Sequence, residues 1–187
     1  ERALAEALNA DPSSPRAHLV MARLLAGDGK FDEALAALDK AMVPSGLNGE
    51  VHLTRGLIQR WGKKDDAASM ASWQRATEDP LVALQARTLL IEAALFQGTS
   101  NLSEAQTQLA ALAKSHPKHP QALFMDAMVS YAAKDFARTE AVTDALVRVA
   151  PDSPRLLVLG GAASLQLGHL IAAETKLGRV VQTVERM

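Results

Sequence analysis

The sequence predicts an all-α, right-handed solenoid of about ten helices plus a partial N-terminal helix, with no sheet. Three observations predict it. Apolar residues recur at helical spacing, as in Leu19, Ala22, Leu24 and Leu25, then Ala34, Leu35, Leu38, Ala41 and Met42. The pattern proline, two residues, proline, then an apolar run occurs at Pro12, Pro117 and Pro151. The steps between such marks are 34 residues or close to it: Pro117 to Pro151 is 34, Pro12 to Pro80 is twice that, and Pro80 to Pro117 is 37. A fixed period of this length is the mark of stacked helical units.

Each period reads as two helices. The first begins at Pro15 and reaches about Ala26, because proline suits a first turn whose N–H has no helical partner. Gly27 and Gly29 stop it, and Asp32 to Met42 forms the second helix. Later units read as Gln121–Ala133 with Asp135–Val149, and Arg155–Leu167 with Leu170 to about Glu185. The turn-like PSGLNG from Pro44 stands where the second unit starts, and FQGTSNLS (Phe96 to Ser103) absorbs three extra residues. KKDD (Lys63 to Asp66) reads as a turn and helix start, with acids at the favourable helix end. The expected units are 15–48, 49–82, 83–119, 120–153 and 154–187, within one array, after a partial unit over 1–14.

Composition narrows the function. The 187 residues are 48% apolar and 22% charged, with net charge −1, so no basic excess points to nucleic acid. Aromatics are 4% and cysteine is absent, which excludes disulfides and thiolate metal sites. No apolar run is long enough to span a bilayer. The first residue is Glu1, so a cut or processed piece is expected, with any signal or lipid anchor outside it.

Reactive constellations are not found. LGGAAS at Leu159 follows helical periodicity and not a strand, so it does not read as a phosphate loop. Among five histidines only His116 and His119 stand close, in what reads as a solvated connecting loop. No Ser/His/Asp set has local support. A non-catalytic protein without metal or cofactor is expected.

The helix–turn–helix period resembles the tetratricopeptide (TPR) repeat. Met21-Ala22, Gly29, Phe31, Ala34, Leu38 and Ala41 carry the likeness in repeat one; Gly160-Gly161, Gly168, Leu170, Ala173, Leu177 and Val180 carry it in repeat five. Repeat two keeps Gly56 and Ala68 but places Ser72 and Arg75 at positions usually apolar or small. The resemblance implies an α-solenoid whose helices cross at small residues: Ala22, Gly56, Ala127 and Gly161 on first helices, Ala34, Ala68, Ala105 and Ala173 on second helices. It also implies a concave face lined by first helices. By register that face takes Arg16, Leu19, Arg23, Leu53, Leu57, Arg60, Gln121, Phe124, Met128, Tyr131 and Arg155. Phe124, Met128 and Tyr131 follow i, i+4, i+7 and fit either a groove stripe or packing against neighbouring repeats. Trp61 and Trp73 fit a binding anchor or, preferably, the filling of an irregular gap. Arg23, Leu57, Met128 and Ala162 stand where chaperone-tail clamps of this family use asparagine, which argues against that specificity.

Residues 117–181 further resemble the TPR lipoproteins of the bacterial PEP-CTERM/exosortase system, linked to exopolysaccharide production and protein sorting. That likeness implies an exported protein, in the periplasm or at the outer membrane. The expected partner is a protein or peptide; a homo-oligomer is compatible, and a spacer or self-assembly segment of a longer array is the alternative.

Overall fold

Proline placement sets the helix starts. In the computed structural model, which describes residues 2–44, 46 and 48–185, Pro15, Pro120 and Pro154 each occupy the first turn of a helix. The preceding residue serves as cap: the Ser14 side chain accepts from the Ala17 N–H, and His119 Nδ1 accepts from the Gln121 N–H at 3.2 Å. His119 is thus engaged in capping, with the His116 ring edge-on at 6.0 Å.

Eleven α-helices and no strand occur among the described residues: α1 (Arg2–Ala10), α2 (Pro15–Gly27), α3 (Phe31–Lys40), α4 (Gly49–Leu57), α5 (Asp66–Ala76), α6 (Ala83–Phe96), α7 (Leu102–Ser115), α8 (Pro120–Ala132), α9 (Phe136–Val147), α10 (Pro154–Gln166) and α11 (Leu170–Glu185). A π turn, Ile58–Gly62, follows α4, and a 3-10 turn, Thr99–Asn101, precedes α7. The chain divides into two compact units, Glu1–Leu90 and Ile91–Met187. Ser45 and Leu47 of the expected PSGLNG turn lie outside the described residues, as do Glu1, Arg186 and Met187. Asn48 closes that turn, its side chain accepting from the Val43 N–H at 2.7 Å and donating to Val43 O and Gly46 O, both at 2.9 Å.

In the first unit α2 packs on α3 and α4 on α5. Leu19, Ala22, Ala34, Leu38 and Ala41 form a buried cluster between α2 and α3. A fully enclosed leucine such as Leu38 contributes about 1.5–3 kcal/mol. The turn between these helices places Gly29 at φ +77°, and the matching turn after α4 places Lys64 at φ 57°. Glycine takes this left-handed geometry without penalty, whereas lysine carries a Cβ against the backbone. Asp65 then caps α5, accepting from the Ala68 N–H at 2.9 Å, so KKDD is the expected turn and helix start.

Repeat two corrects the expected register. The buried set of α3, Ala34, Ala37, Leu38 and Ala41, recurs in α5 as Ser69, Ser72, Trp73 and Ala76, one residue later than a 34-residue step demands. The first helices keep that step, with His18, Leu19 and Ala22 answered by His52, Leu53 and Gly56. The extra residue is absorbed in the π turn, where the Lys63 N–H donates to Ile58 O at 3.1 Å, five residues back. Consequently Ser69, and not the half-buried Ala68, takes the small crossing position, and Arg75 points to solvent. Trp73 fills the place of Leu38 and is 1% exposed, so it is a core residue; Trp61 is 62% exposed, its ring 6.0 Å from that of Trp73.

In the second unit α7 packs on α8, α8 on α9, α9 on α10 and α10 on α11. Met125 and Ala127 of α8 and Leu157 of α10 are fully enclosed. The buried hydroxyls of α9 are satisfied within the helix, Thr139 Oγ1 donating to Asp135 O at 2.9 Å and Thr143 Oγ1 to Thr139 O at 2.8 Å. Gly160 and Gly161 let α10 approach its neighbours: a Cβ on Gly160 would stand 2.7 Å from Thr143 Oγ1, and one on Gly161 would stand 2.8 Å from the Leu177 side chain.

Candidate functional site: an apolar trough between α8 and α10

Helix α8 buries Ala122, Met125 and Val129 and thereby leaves Phe124, Met128 and Tyr131 half-buried along another face. Helix α10 supplies Arg155, Val158 and Ala162 opposite them, and the two helices line a trough of about 510 Å³. Phe124, Met128 and Tyr131 therefore form a wall of an open trough, backed by the core. Tyr131 is steadied edge-to-face by Phe136 with ring centroids 5.3 Å apart. The Arg155 guanidinium lies over the Phe124 ring, 4.7 Å from its centroid, and approaches Glu92 Oε1 at 3.6 Å.

Gln121 lines a second depression of about 330 Å³ with Lys118, Leu146 and Val149. Phe124 and Arg155 line both depressions, which makes them one continuous apolar surface. Lys118, Leu146 and Val149 escaped the face rule applied to the sequence. They lie on the α7–α8 connection and at or just beyond the end of α9, where the period of a first helix carries no information.

The first-unit candidates are dispersed. Arg16, Leu19 and Arg23 line a depression of about 590 Å³ together with Glu50 and Asp79. Arg23 is spoken for by its neighbours, donating to Glu50 Oε2 and Thr54 Oγ1, each at 3.3 Å. Leu19 and Leu53 are only 8% and 5% exposed; as members of the core they present almost no surface, which corrects their placement on an open face. Leu57 is half-buried, ahead of the π turn. Arg60 sits within that turn, its side chain 15% exposed and paired with Asp66 at the start of α5. It serves the fold of its own repeat, a correction that follows from the same one-residue shift.

A polar cluster joins α9, α10 and α11. Glu140 Oε1 accepts from Ser164 Oγ at 2.5 Å, Glu140 Oε2 contacts His169 Nδ1 at 2.9 Å, and Lys176 Nζ reaches Ser164 Oγ at 3.0 Å and Asp144 Oδ1 at 2.8 Å. The Ser164 hydroxyl, then His169 and Lys176, hold the Glu140 carboxyl below its ordinary value despite partial burial. Ser164 is fully enclosed at the centre of the cluster, which ties α9, α10 and α11 together, while His169 and Asp144 stand at its exposed edge. No group of three or more metal-ligating side chains occurs among the described residues.

The helical architecture matches solved structures. A TPR protein, YrrB, described as having an unusual peptide-binding site, superposes with a TM-score of 0.72 at 14% identity, covering 97% of this chain and 92% of that one. PilW, described as a widely conserved type IV pilus biogenesis factor, gives 0.73 at 22% identity, over 92% of this chain and 79% of that one. In sequence the chain is 26% identical to Cellulose synthase operon protein C of Pseudomonas fluorescens (strain SBW25), over 95% of its own length; it spans 14% of that relative. Two family models described as Tetratricopeptide repeat match residues 1–43 and 92–154. With eleven helices among the described residues, folded as paired repeats on an α-solenoid plan, the chain belongs to the tetratricopeptide repeat family.

Proposed function

We propose that the chain is a non-catalytic scaffold that holds a protein or peptide segment in the trough between α8 and α10. The observation that carries this reading is the set Phe124, Met128, Tyr131 and Arg155 on one open, mostly apolar surface. Residues fixed on packed helices lose little conformational freedom on association, so a modest apolar contact suffices for useful affinity. Micromolar binding, about −8 kcal/mol, supports an assembly that engages several sites at once. Capture of interacting proteins from the native host by the full-length protein, compared with the Phe124→Ala/Tyr131→Ala double variant, tests it. Reduced capture by the folded double variant is expected; unchanged capture removes the trough from the function.

The parent protein is further proposed to act outside the bacterial cytoplasm, in the periplasm or at the outer membrane, on envelope, exopolysaccharide or protein-sorting machinery. The 26% identity to a cellulose synthase operon protein supports an exopolysaccharide setting, alongside the sequence likeness from Pro117 onward. Fractionation of the native host decides the matter, and purely cytoplasmic protein sinks it. A second reading, a spacer or self-assembly segment, draws on α11, which leaves Leu170, Ile171 and Val181 exposed. Concentration-dependent association abolished by Ile171→Asp favours that reading.

A further inference from the structure

A repeat-edge depression in the first unit and one in the second occupy equivalent repeat positions but differ in charge balance. Pro15, Asn48 and Val51 in the first unit hold the places of Pro120, Ser153 and Leu156 in the second. At the position of Arg155 the first unit carries Glu50, which pairs with Arg23, and both Arg16 and Asp79 join the same lining. That depression is charge-balanced. In the second unit the linings of the trough and the adjoining depression, taken together, contain two cations, Lys118 and Arg155, and no carboxylate, Glu92 standing outside both. The positive charge there is not required by the repeat, since the same architecture stands charge-balanced elsewhere in this chain.

We propose, building on the trough reading above, that the second-unit surface selects an extended peptide segment that combines apolar side chains with a carboxylate, the carboxylate seated at Arg155 and Lys118. Arg155 is built for it. Stacking on Phe124 fixes the guanidinium, yet the side chain is 68% exposed. Glu92, at 3.6 Å, lies beyond hydrogen-bond length and orients the fork without saturating it. A planar guanidinium with free donors takes a carboxylate in bidentate fashion, and its attraction to the ring persists. Phe124 borders both depressions, so apolar side chains of the segment rest on either side of the charged contact. Two cations against a chain of net charge −1 are too few to hold a nucleic-acid backbone, which needs several phosphate contacts.

Three short peptides with blocked ends test the proposal on the whole chain by fluorescence anisotropy: repeats of Leu-Asp-Ser, of Leu-Asn-Ser and of Leu-Lys-Ser. The aspartate peptide is expected to bind about tenfold more tightly than the asparagine peptide at low salt. Arg155→Gln combined with Lys118→Gln should erase that difference, while Phe124→Ala weakens both peptides, all variants keeping their helical circular dichroism. Equal binding of the three peptides, or preference for lysine, overturns the acidic selection; if Phe124→Ala still abolishes that binding, the trough itself stands. Absence of binding by every peptide, or binding indifferent to Phe124→Ala, overturns both readings. Displacement of the aspartate peptide by single-stranded oligonucleotide at equal concentration also overturns the selection of a peptide.

Discussion

The indole edge of Trp73 lies directly against the bare backbone of Gly56. A Cβ built on Gly56 would fall inside contact distance of Trp73 Nε1 and its ring carbons, and Trp73 itself is 1% exposed. The pair locks α4 to α5 in a repeat whose second helix is one residue out of step. Gly56→Ala should therefore destabilise the chain by roughly 1–3 kcal/mol, since a rigid ring in a filled core has nowhere to go. Gly178→Ala in α11, where nothing stands within 4 Å, should instead raise stability by about 0.5–1 kcal/mol through helix propensity. Thermal melts of the two variants check the contrast; equal melting temperatures would show that Gly56 is not a contact position.

Gly161 is a softer crossing. Its added Cβ would meet Cγ and Cδ2 of Leu177, both at 2.8 Å, and a leucine side chain can change rotamer where an indole in a filled core cannot. Gly161→Ala is expected to cost less than Gly56→Ala, and Gly161→Leu to overpack by about 1–3 kcal/mol. Denaturant titration of the three variants ranks them, and parental stability in Gly161→Leu would refute the assignment.

Lys64 and Lys134, at φ 57° and 63°, stand where Gly29 and Gly168 serve the corresponding turns. Left-handed geometry costs a residue with a Cβ about 1–2 kcal/mol, partly offset by the greater freedom glycine has when unfolded. Lys134→Gly should stabilise by up to about 1 kcal/mol. Lys134→Val, β-branched and worse in this geometry, should lower the melting temperature.

Arg23→Ala should leave stability within about 0.5 kcal/mol, because its pair with Glu50 is exposed on both sides. A larger loss in urea unfolding would mean that this surface pair is structural.

Acid should weaken the fold in two steps. Burial, followed by Arg75 and Arg55, pushes the His52 imidazole below its ordinary 6.5, with Glu78 opposing. The unfolded chain thus takes up this proton first, and stability present above pH 6.5 declines as pH falls below it. Glu140, depressed from 4.5 chiefly by the Ser164 hydroxyl, adds a second loss as pH falls below 4.5. His52→Phe should flatten the first decline and Glu140→Gln the second in melts across pH. A variant curve parallel to the parent in its own window would discount that group.

The helices, their starts and the family were written in local signals: proline in the first turn, Ser14 or Asp65 as cap, and leucine and alanine at helical spacing. Such signals act within a few residues, so a chain read in one dimension carries them whole. Tertiary packing decided the rest. The π turn after Leu57 is a backbone adjustment with no residue type of its own, and it moved Trp73 into the core and turned Arg60 onto Asp66. The stripe of Phe124, Met128 and Tyr131 was legible as a face, but whether that face is covered depends on the volume of its neighbours. Only the packed structure sets Arg155 over Phe124 and adds Lys118 and Val149 to the same surface, because those contacts join segments that periodicity treats separately.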